Sequence, residues 1–365
     1  MIKLIKPYIS FGEIEDEFRE IFDSGCFTRG KYVAAFTEKI RSYTGARYAF
    51  LTTSATTALW TCMRLLSIEK GDEVIVSDFS FPATANIVED VGAKPVFADV
   101  SLDTFNMLPH ELERKITPKT KAVIFVDALG NPSGLHEIKS ICRRRNITLI
   151  EDAACALGSG ENGIRCGGIA DLTCFSFHPR KLLTTGEGGA ITTNNEAWAK
   201  KLAIKLAHGA ITQNGKSVFV DYGYNFRLPE LQAVMGIKQL DKLDSIIQGR
   251  IRIRDSYIEQ LDVLGFNPQH ISENAVYNVQ SLVFRLPKEV QRDELIINMN
   301  KEGIETTLGT YSLSSTAYYI KAYCDQQPNS AELQESTVTL PCYEGVDIMK
   351  VCSAIFYTIN GRKIL

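Results

Sequence analysis

The segment from Phe175 to Gly189 has the clearest potential for covalent chemistry. It begins with an apolar run typical of a buried strand, continues with a loop that contains Lys181, and ends in a glycine-rich turn that a ligand can approach closely. A lysine that forms imines must be partly desolvated, because burial lowers the pKa of an ammonium group and frees the amine. The loop after a buried strand offers that environment. Taken alone, a lysine such as Lys181 is far more often a solvated surface residue.

A second candidate group is Asp152, at the end of the apolar run 148–152. A carboxylate at the C-terminal end of a parallel strand lies where such sheets bind their ligands. In enzymes that use pyridoxal phosphate, an aspartate of this kind keeps the pyridine nitrogen protonated, and the ring then withdraws electrons from the reacting carbon. The alternative is a helix cap or a structural hydrogen-bond acceptor. The combination of Lys181 with Asp152 favours the functional interpretation.

Small and hydroxylated residues at positions 52–58 separate a predicted strand from a predicted helix. Free N–H groups and the positive end of the helix dipole at such a junction suit a phosphate group, and the hydroxyls add donors. Serine and threonine are equally expected here as ordinary helix caps. The segment therefore gains its meaning only together with Lys181 and Asp152.

The elements that must position these residues alternate between short β-rich runs and helical patterns from residue 30 to 195. This alternation predicts βαβ units, and hence an α/β fold with a mainly parallel seven-stranded sheet flanked by helices. Right-handed crossovers would place the C-terminal ends of all its strands at one edge. The predicted strands are 48–52, 73–77, 95–99, 122–127, 148–152, 173–177 and 189–193. The predicted helices are 32–44, 56–66, 83–91, 110–116, 135–145 and 196–207.

After Pro229 the pattern changes to one long helical stretch with apolar residues on one face. A strand at 277–286 and helices at 292–302 and 346–360 follow. We therefore predict a large domain over residues 1–240 and a smaller α+β domain over residues 241–365, entered through a long bridging helix.

Composition restricts the class of protein. Of 365 residues, 45% are hydrophobic and 23% are charged, and the 40 basic and 43 acidic side chains give a formal net charge of −3. Such a balance is typical of a soluble globular protein and disfavours nucleic acid or an anionic membrane as a partner, since both require a basic surface. Nine scattered cysteines without CxxC pairs predict free thiols in the cytoplasm and no metal site.

The chain resembles the DegT/DnrJ/EryC1/StrS family of sugar aminotransferases, which are fold type I pyridoxal-phosphate enzymes. The resemblance covers nearly the whole chain and is strongest between residues 24 and 240. Besides the segments above, it rests on four others. They are Ser24-Gly25 with Thr28-Arg29-Gly30 and Phe36-Thr37-Glu38, the run from Asp78 to Asn86, Gly223-Tyr224-Asn225-Phe226-Arg227-Leu228 with Gln232-Ala233, and Leu340-Pro341-Cys342-Tyr343.

The resemblance implies that Lys181 holds pyridoxal 5'-phosphate as a Schiff base and later moves a proton, while Asp152 pairs with the pyridine nitrogen. It implies that Asn225 reaches the phosphate of the neighbouring subunit, so that the active unit is a homodimer with shared sites. The remaining implied cofactor contacts are Phe81, stacking on the ring, Cys155, beside the ring hydroxyl, and Ala55, Thr56 and Ser176 at the phosphate.

By the same resemblance, the amino donor is L-glutamate and the acceptor is a nucleotide-linked keto-deoxysugar in amino-sugar biosynthesis. Two departures from the family pattern bear on this. Cys155 replaces the usual glutamine or histidine, and the segment 309–319 lacks a histidine found there in sugar-binding members. A keto-sugar without a nucleotide, or an antibiotic precursor, is therefore an alternative acceptor. A regulatory protein that keeps the fold without turnover is a further alternative.

Overall fold

A computed structural model describes residues 1–361 of the chain. Within this range the strands are β1 (Tyr48–Thr52), β2 (Glu73–Ser77), β3 (Phe79–Ser80), β4 (Lys94–Ala98), β5 (Thr120–Val126), β6 (Thr148–Asp152), β7 (Gly160–Glu161), β8 (Ile164–Arg165), β9 (Leu172–Ser176), β10 (Gly189–Thr193), β11 (Ala210–Gln213), β12 (Lys216–Phe219), β13 (Asn267–Pro268), β14 (Ala275–Val276), β15 (Leu282–Arg285), β16 (Thr307–Leu308), β17 (Tyr311–Ser312) and β18 (Thr337–Leu340).

The helices surround these strands. They are α1 (Glu15–Ser24), α2 (Lys31–Thr44), α3 (Ala55–Leu65), α4 (Ala83–Asp90), α5 (Pro109–Lys115), α6 (Leu135–Arg145), α7 (Glu196–Lys205), α8 (Glu230–Leu240), α9 (Leu243–Leu261), α10 (Arg292–Lys301), α11 (Ala317–Tyr323), α12 (Pro328–Ser336) and α13 (Ile348–Asn360). No helix in residues 1–361 is long and apolar enough to span a membrane.

The central sheet confirms the predicted α/β class. Its seven strands lie in the order β1-β10-β9-β6-β5-β2-β4, and the pairs β2/β4, β2/β5, β5/β6 and β6/β9 are parallel. The central strands are buried on both faces, which explains their nearly continuous apolar sequences. The C-terminal ends of β6 and β9 therefore reach the same edge of the sheet.

The expectation that every strand ends at this edge is wrong for β10. This strand runs antiparallel to both of its neighbours, β1 and β9. The cause is the connection 177–188, which reverses the chain without a helix, whereas parallel neighbours need a crossover. As a result the first residue of β10, Gly189, lies at the ligand edge, paired with Ser176 on one side and with Thr52 on the other.

The C-terminal part contains a four-stranded antiparallel sheet in the order β13-β15-β18-β16. The predicted strand 277–286 is shortened to β15, because Val279 has a φ of 54° and interrupts the extended backbone. The single helical stretch predicted after Pro229 is two helices, α8 and α9, separated at Asp241 and Lys242. The reason is that α8 packs on α2, whereas α9 continues toward α13.

Helix α9 connects two of the hydrophobic cores. Leu243, Ile246 and Ile247 pack in the core beside the central sheet, whereas Tyr257 and Leu261 pack in the core of the C-terminal sheet. This arrangement brings the loops of the C-terminal sheet over the edge of the central sheet. The domain boundary at residue 240 itself stays a prediction.

Candidate active site

One cavity of about 330 Å³ lies at the edge of the central sheet where β6 and β9 end. Its wall includes every predicted site residue except Asn225, namely Ala55, Thr56, Phe81, Asp152, Cys155, Ser176 and Lys181. Asn225 is exposed on the segment between β12 and α8 and does not line the cavity of its own chain. Residues that are up to 126 positions apart in sequence thus meet in one place.

Asp152 is the last residue of β6 and is almost fully buried. Its Oδ2 accepts a hydrogen bond from Thr84 Oγ1 at 2.8 Å, and its Oδ1 accepts one from the N–H of Ala154 at 3.2 Å. Burial raises the pKa of Asp152, while the hydrogen bond from Thr84 and the charge of Lys181 lower it. A carboxylate has lone pairs beyond these two contacts, so Asp152 can accept a further hydrogen bond from a cationic donor.

Lys181 lies in the loop after β9, partly buried, and its Nζ donates to Cys155 Sγ at 3.0 Å. Gln280 holds the backbone on both sides of this lysine. Its Oε1 accepts from the N–H of Leu182 and its Nε2 donates to the carbonyl of Arg180, both at 2.8 Å. A buried side chain from the C-terminal part therefore sets the position of the lysine loop.

The N-terminus of α3 forms a site for an anion. Ser54 caps the helix by accepting from the N–H of Thr57, whereas the N–H groups of Ala55 and Thr56 have no acceptor within residues 1–361. Gly189 permits this arrangement, since a Cβ there would lie 2.5 Å from the backbone of Ser54. Free N–H groups at the positive end of an 11-residue helix suit a phosphate group.

The outer wall of the cavity comes from the C-terminal part. Gly309, Thr310 and Tyr311 face the cavity together with Phe81, which is 61% exposed. The rings of Phe81 and Tyr311 meet edge to face, with centroids 6.3 Å apart. Phe81 is therefore free to cover a planar group bound over Asp152, and Tyr311 limits how far such a ligand can extend.

A second carboxylate group lies behind the site, on the opposite face of β6 from Asp152. Asp127, Glu151 and Cys166 are fully buried, and their ligand atoms lie within 4.8 Å of one another. Glu151 Oε2 accepts from Thr173 and Gly167, but both oxygens of Asp127 and Oε1 of Glu151 lack a donor among the described residues. Burial raises the pKa of Asp127, and the neighbouring charge of Glu151 raises it further.

One added proton resolves this deficit of donors. A protonated Asp127 can donate to Glu151 Oε1, and the thiol of Cys166 can donate to the other oxygen of Asp127. Two ionised carboxylates in contact without solvent would be strongly unfavourable. We therefore expect Asp127 and Glu151 to hold one proton between them in the folded protein.

Thr84, Gln280 and Asp127 were not among the residues predicted from the sequence. Thr84 lies three residues after Phe81, within the segment 78–86 that carries the family resemblance. Asp127 directly follows the buried strand β5, and Asp152 is the last residue of β6. The rule that polar residues at strand ends collect at one edge could have indicated Asp127. No local signal marks Gln280, because its partners lie 98 and 100 residues away.

Comparisons with known proteins agree with this geometry. Residues 10–356 match the model of the DegT/DnrJ/EryC1/StrS aminotransferase family. The chain is 31% identical over 333 residues to the GDP-perosamine synthase of Caulobacter vibrioides, and the match covers 89% of this chain and 90% of that protein.

Two solved structures have the same fold. The aminotransferase TlmJ from Streptoalloteichus hindustanus superposes with a TM-score of 0.93 at 26% identity, over 99% of each chain. The protein Spr1654 from Streptococcus pneumoniae in its PLP form superposes with a TM-score of 0.87 at 28% identity, over 97% of this chain and 96% of that one. Spr1654 has also been solved in a PMP form.

Proposed function

The chain belongs to the DegT/DnrJ/EryC1/StrS aminotransferase family, and from this we propose that it transfers an amino group from L-glutamate to a nucleotide-linked keto-deoxysugar. Its relatives are sugar aminotransferases, and this chain is a pyridoxal-phosphate-dependent sugar aminotransferase. The observation that carries the proposal is that Lys181, Asp152 and the free N–H groups of α3 line one cavity.

The donor set fits pyridoxal phosphate. The N–H groups of Ala55 and Thr56, with the side chain of Ser176 beside them, would hold the phosphate. Asp152 would accept the N–H of the pyridine ring, because a buried carboxylate is stabilised by a cationic partner. The chemistry that this cofactor supplies when bound is an aldehyde that accepts amino groups and a ring that withdraws electrons.

Lys181 would act twice, as the covalent anchor of the cofactor and as the base that moves a proton at the amino-bearing carbon of the substrate. Gln280 keeps the lysine loop in place during both steps. Thr84 holds Asp152 by its Oδ2, so that the remaining lone pairs stay directed into the cavity. Cys155 would contact Nζ whenever the amine of Lys181 is free.

We propose that the acceptor carries a nucleoside diphosphate, because cationic side chains are available to bind its phosphates. Arg180 is exposed and lines the cavity beside Lys181. Arg227 has buried Nε and Nη1 atoms without a partner among the described residues, and burial together with the charge of Arg29 lowers its pKa. Arginine pairs well with phosphate, so these groups would gain by binding an anion.

Asn225 and Arg227 lie on the same segment, away from the cavity of their own chain. We infer that this segment completes the active site of a second copy, with Asn225 at the phosphate and Arg227 near the acceptor. The protein would then be a homodimer with two shared sites.

The cofactor assignment is tested by mapping. Purified protein saturated with pyridoxal phosphate should absorb in the visible range, and L-glutamate should discharge that band. Borohydride reduction of the saturated protein before glutamate is added, followed by peptide mass mapping, should place the pyridoxyl group on Lys181. A Lys181→Ala variant should lose the label, whereas the exposed Lys201→Ala should keep it; a label elsewhere in saturated wild-type protein would disprove the assignment.

The acceptor is tested with a panel of keto-sugars, each offered with and without its nucleotide to the glutamate-treated enzyme. Return of the visible band and an amino-sugar product by mass spectrometry identify an acceptor. Activity only with the nucleotide-linked forms supports the proposal. Activity with free keto-sugars alone would replace it, and a stable band that neither glutamate nor any other amino donor discharges would favour a regulatory protein.

A further inference from the structure

A buried carboxylate outside the cavity holds the outer wall of the site. Asp78 lies between β2 and β3 and is completely buried. Its Oδ1 accepts from the N–H of Ser314 at 2.7 Å, and its Oδ2 accepts from Ser312 Oγ at 2.9 Å and from Ser314 Oγ at 2.8 Å. The hydroxyl of Ser330 in α12 also donates to Oδ2.

All of these donors belong to the C-terminal part of the chain, more than 230 residues away from Asp78 in sequence. The carbonyl of Asp78 also accepts from the N–H of Leu313 at 2.9 Å. Asp99, which follows β4, accepts the N–H groups of Asn329 and Ser330 at 3.1 and 3.0 Å, at the N-terminus of α12. Two carboxylates that directly follow strands of the central sheet therefore attach the segment 311–330 to that sheet.

The attached segment itself forms part of the cavity wall. Ser312 and Tyr311 form β17, which pairs with β3, so that Tyr311 lies opposite Ser80. Tyr311 lines the cavity against Phe81, and Gly309 and Thr310 continue the same wall. Movement of Ser312 or Ser314 away from Asp78 would thus displace the wall that faces a bound ligand.

From this geometry we propose that Asp78 is a positioning residue for the keto-sugar acceptor, because it fixes the wall formed by Gly309, Thr310 and Tyr311. The inference rests on the proposed function and adds a determinant of acceptor binding to it. Glutamate and the acceptor react at the same place beside Lys181, but the acceptor is larger and must extend further toward the outer wall. Loss of the attachment should therefore affect the acceptor more than the donor.

The chemistry of the cluster supports a fixing role. Burial raises the pKa of Asp78 to about 6, while hydrogen bonds from Ser330 and Ser314 lower it. Above pH 7 the carboxylate is thus mainly ionised, and the hydroxyls donate to it in charge-assisted hydrogen bonds, which are stronger than neutral ones. Assays of the attachment belong in this pH range.

The test compares Asp78→Ala and Asp78→Asn with Glu161→Ala as a matched control. Glu161 is also buried and also accepts backbone N–H groups, those of Gly134 and His136, but it does not line the cavity. For Asp78→Ala we expect the KM for the acceptor to rise about tenfold or more and the glutamate half-reaction to change by about twofold or less, since several charge-assisted hydrogen bonds are lost at the outer wall only. Asp78→Asn should show a smaller rise, and the control should show none.

Amide hydrogen exchange provides a readout that does not depend on the acceptor. Exchange at Ser312–Ser314 should be faster by about tenfold or more in Asp78→Ala, because the local opening is no longer opposed by the carboxylate, and unchanged in Glu161→Ala. Unchanged exchange in Asp78→Ala, or an equal loss in both half-reactions, would overturn the inference. If Asp78→Ala does not fold, Asp78→Asn takes its place, and we expect the KM for the acceptor and the exchange rate to change in the same directions. If wild-type protein aminates no keto-sugar, the proposed function is disproved. Hydrogen exchange would still report on the attachment of the wall in that case.

Discussion

Replacing Asp127 by asparagine should change how the free energy of unfolding depends on pH. In the native protein Asp127 and Glu151 are buried, and three of their oxygens lack donors among residues 1–361. One shared proton together with the thiol of Cys166 would satisfy them. Asparagine is a neutral mimic of a protonated aspartate, since its amide can donate to Glu151 and its carbonyl can accept from Cys166. The variant therefore keeps the hydrogen bonds but holds no titrating proton at this position.

The sign and size follow from proton linkage. Burial and the neighbouring Glu151 raise the native pKa of Asp127, whereas an unfolded aspartate loses its proton near pH 4. Between these two pKa values the native state binds one proton more than the unfolded state, so the stability of the wild type falls as pH rises, by about 1.4 kcal/mol per pH unit. Asp127→Asn lacks this contribution, so its stability relative to wild type should rise with pH, by up to about 1.4 kcal/mol per pH unit while the native pair keeps its proton.

Urea unfolding at pH 5, 6 and 7 measures this difference, because pH effects common to both proteins cancel. The exposed Asp103→Asn serves as the control for loss of one carboxylate. Parallel stability curves for wild type and Asp127→Asn would show that Asp127 holds no proton in the native state. A metal ion bound to Asp127, Glu151 and Cys166 is the competing explanation, and it would appear as stoichiometric metal whose removal by a chelator destabilises wild-type protein only.

Four further predictions concern the active site directly. Lys181→Ala should abolish turnover while the protein still binds pyridoxal phosphate, as measured by steady-state assay and cofactor fluorescence. Mixing inactive Lys181→Ala with inactive Asn225→Ala should restore up to roughly a quarter of wild-type activity, if the sites are shared between subunits and exchange is random; no recovery after verified exchange would contradict sharing. Gly189→Ala should weaken cofactor binding about tenfold or more, because its Cβ would displace the backbone ahead of α3. Thr84→Val should lower kcat with the cofactor still bound, because Asp152 loses one of its hydrogen-bond donors.

The local pattern of the sequence was sufficient for most of the fold. Apolar runs of strand length that alternate with helical periodicity predicted all seven strands of the central sheet, four of them with the observed bounds. Periodicity is a property of neighbouring residues, so it needs no knowledge of the rest of the chain. The same local information placed Lys181 after one buried strand and Asp152 at the end of another, and parallel strands bring such ends together.

What only the tertiary structure decided depends on residues far apart in the chain. The direction of β10 followed from an unusual connection, and the break between α8 and α9 followed from different packing partners. Likewise the sequence by itself identified the residues that could do chemistry, but not the groups that hold them: Thr84 on Asp152, Gln280 on the lysine loop, and Asp78 on the outer wall. These contacts join positions 68 to 236 residues apart, and no pattern within a short window determines which distant donor meets a buried acceptor until the sheet has closed around it.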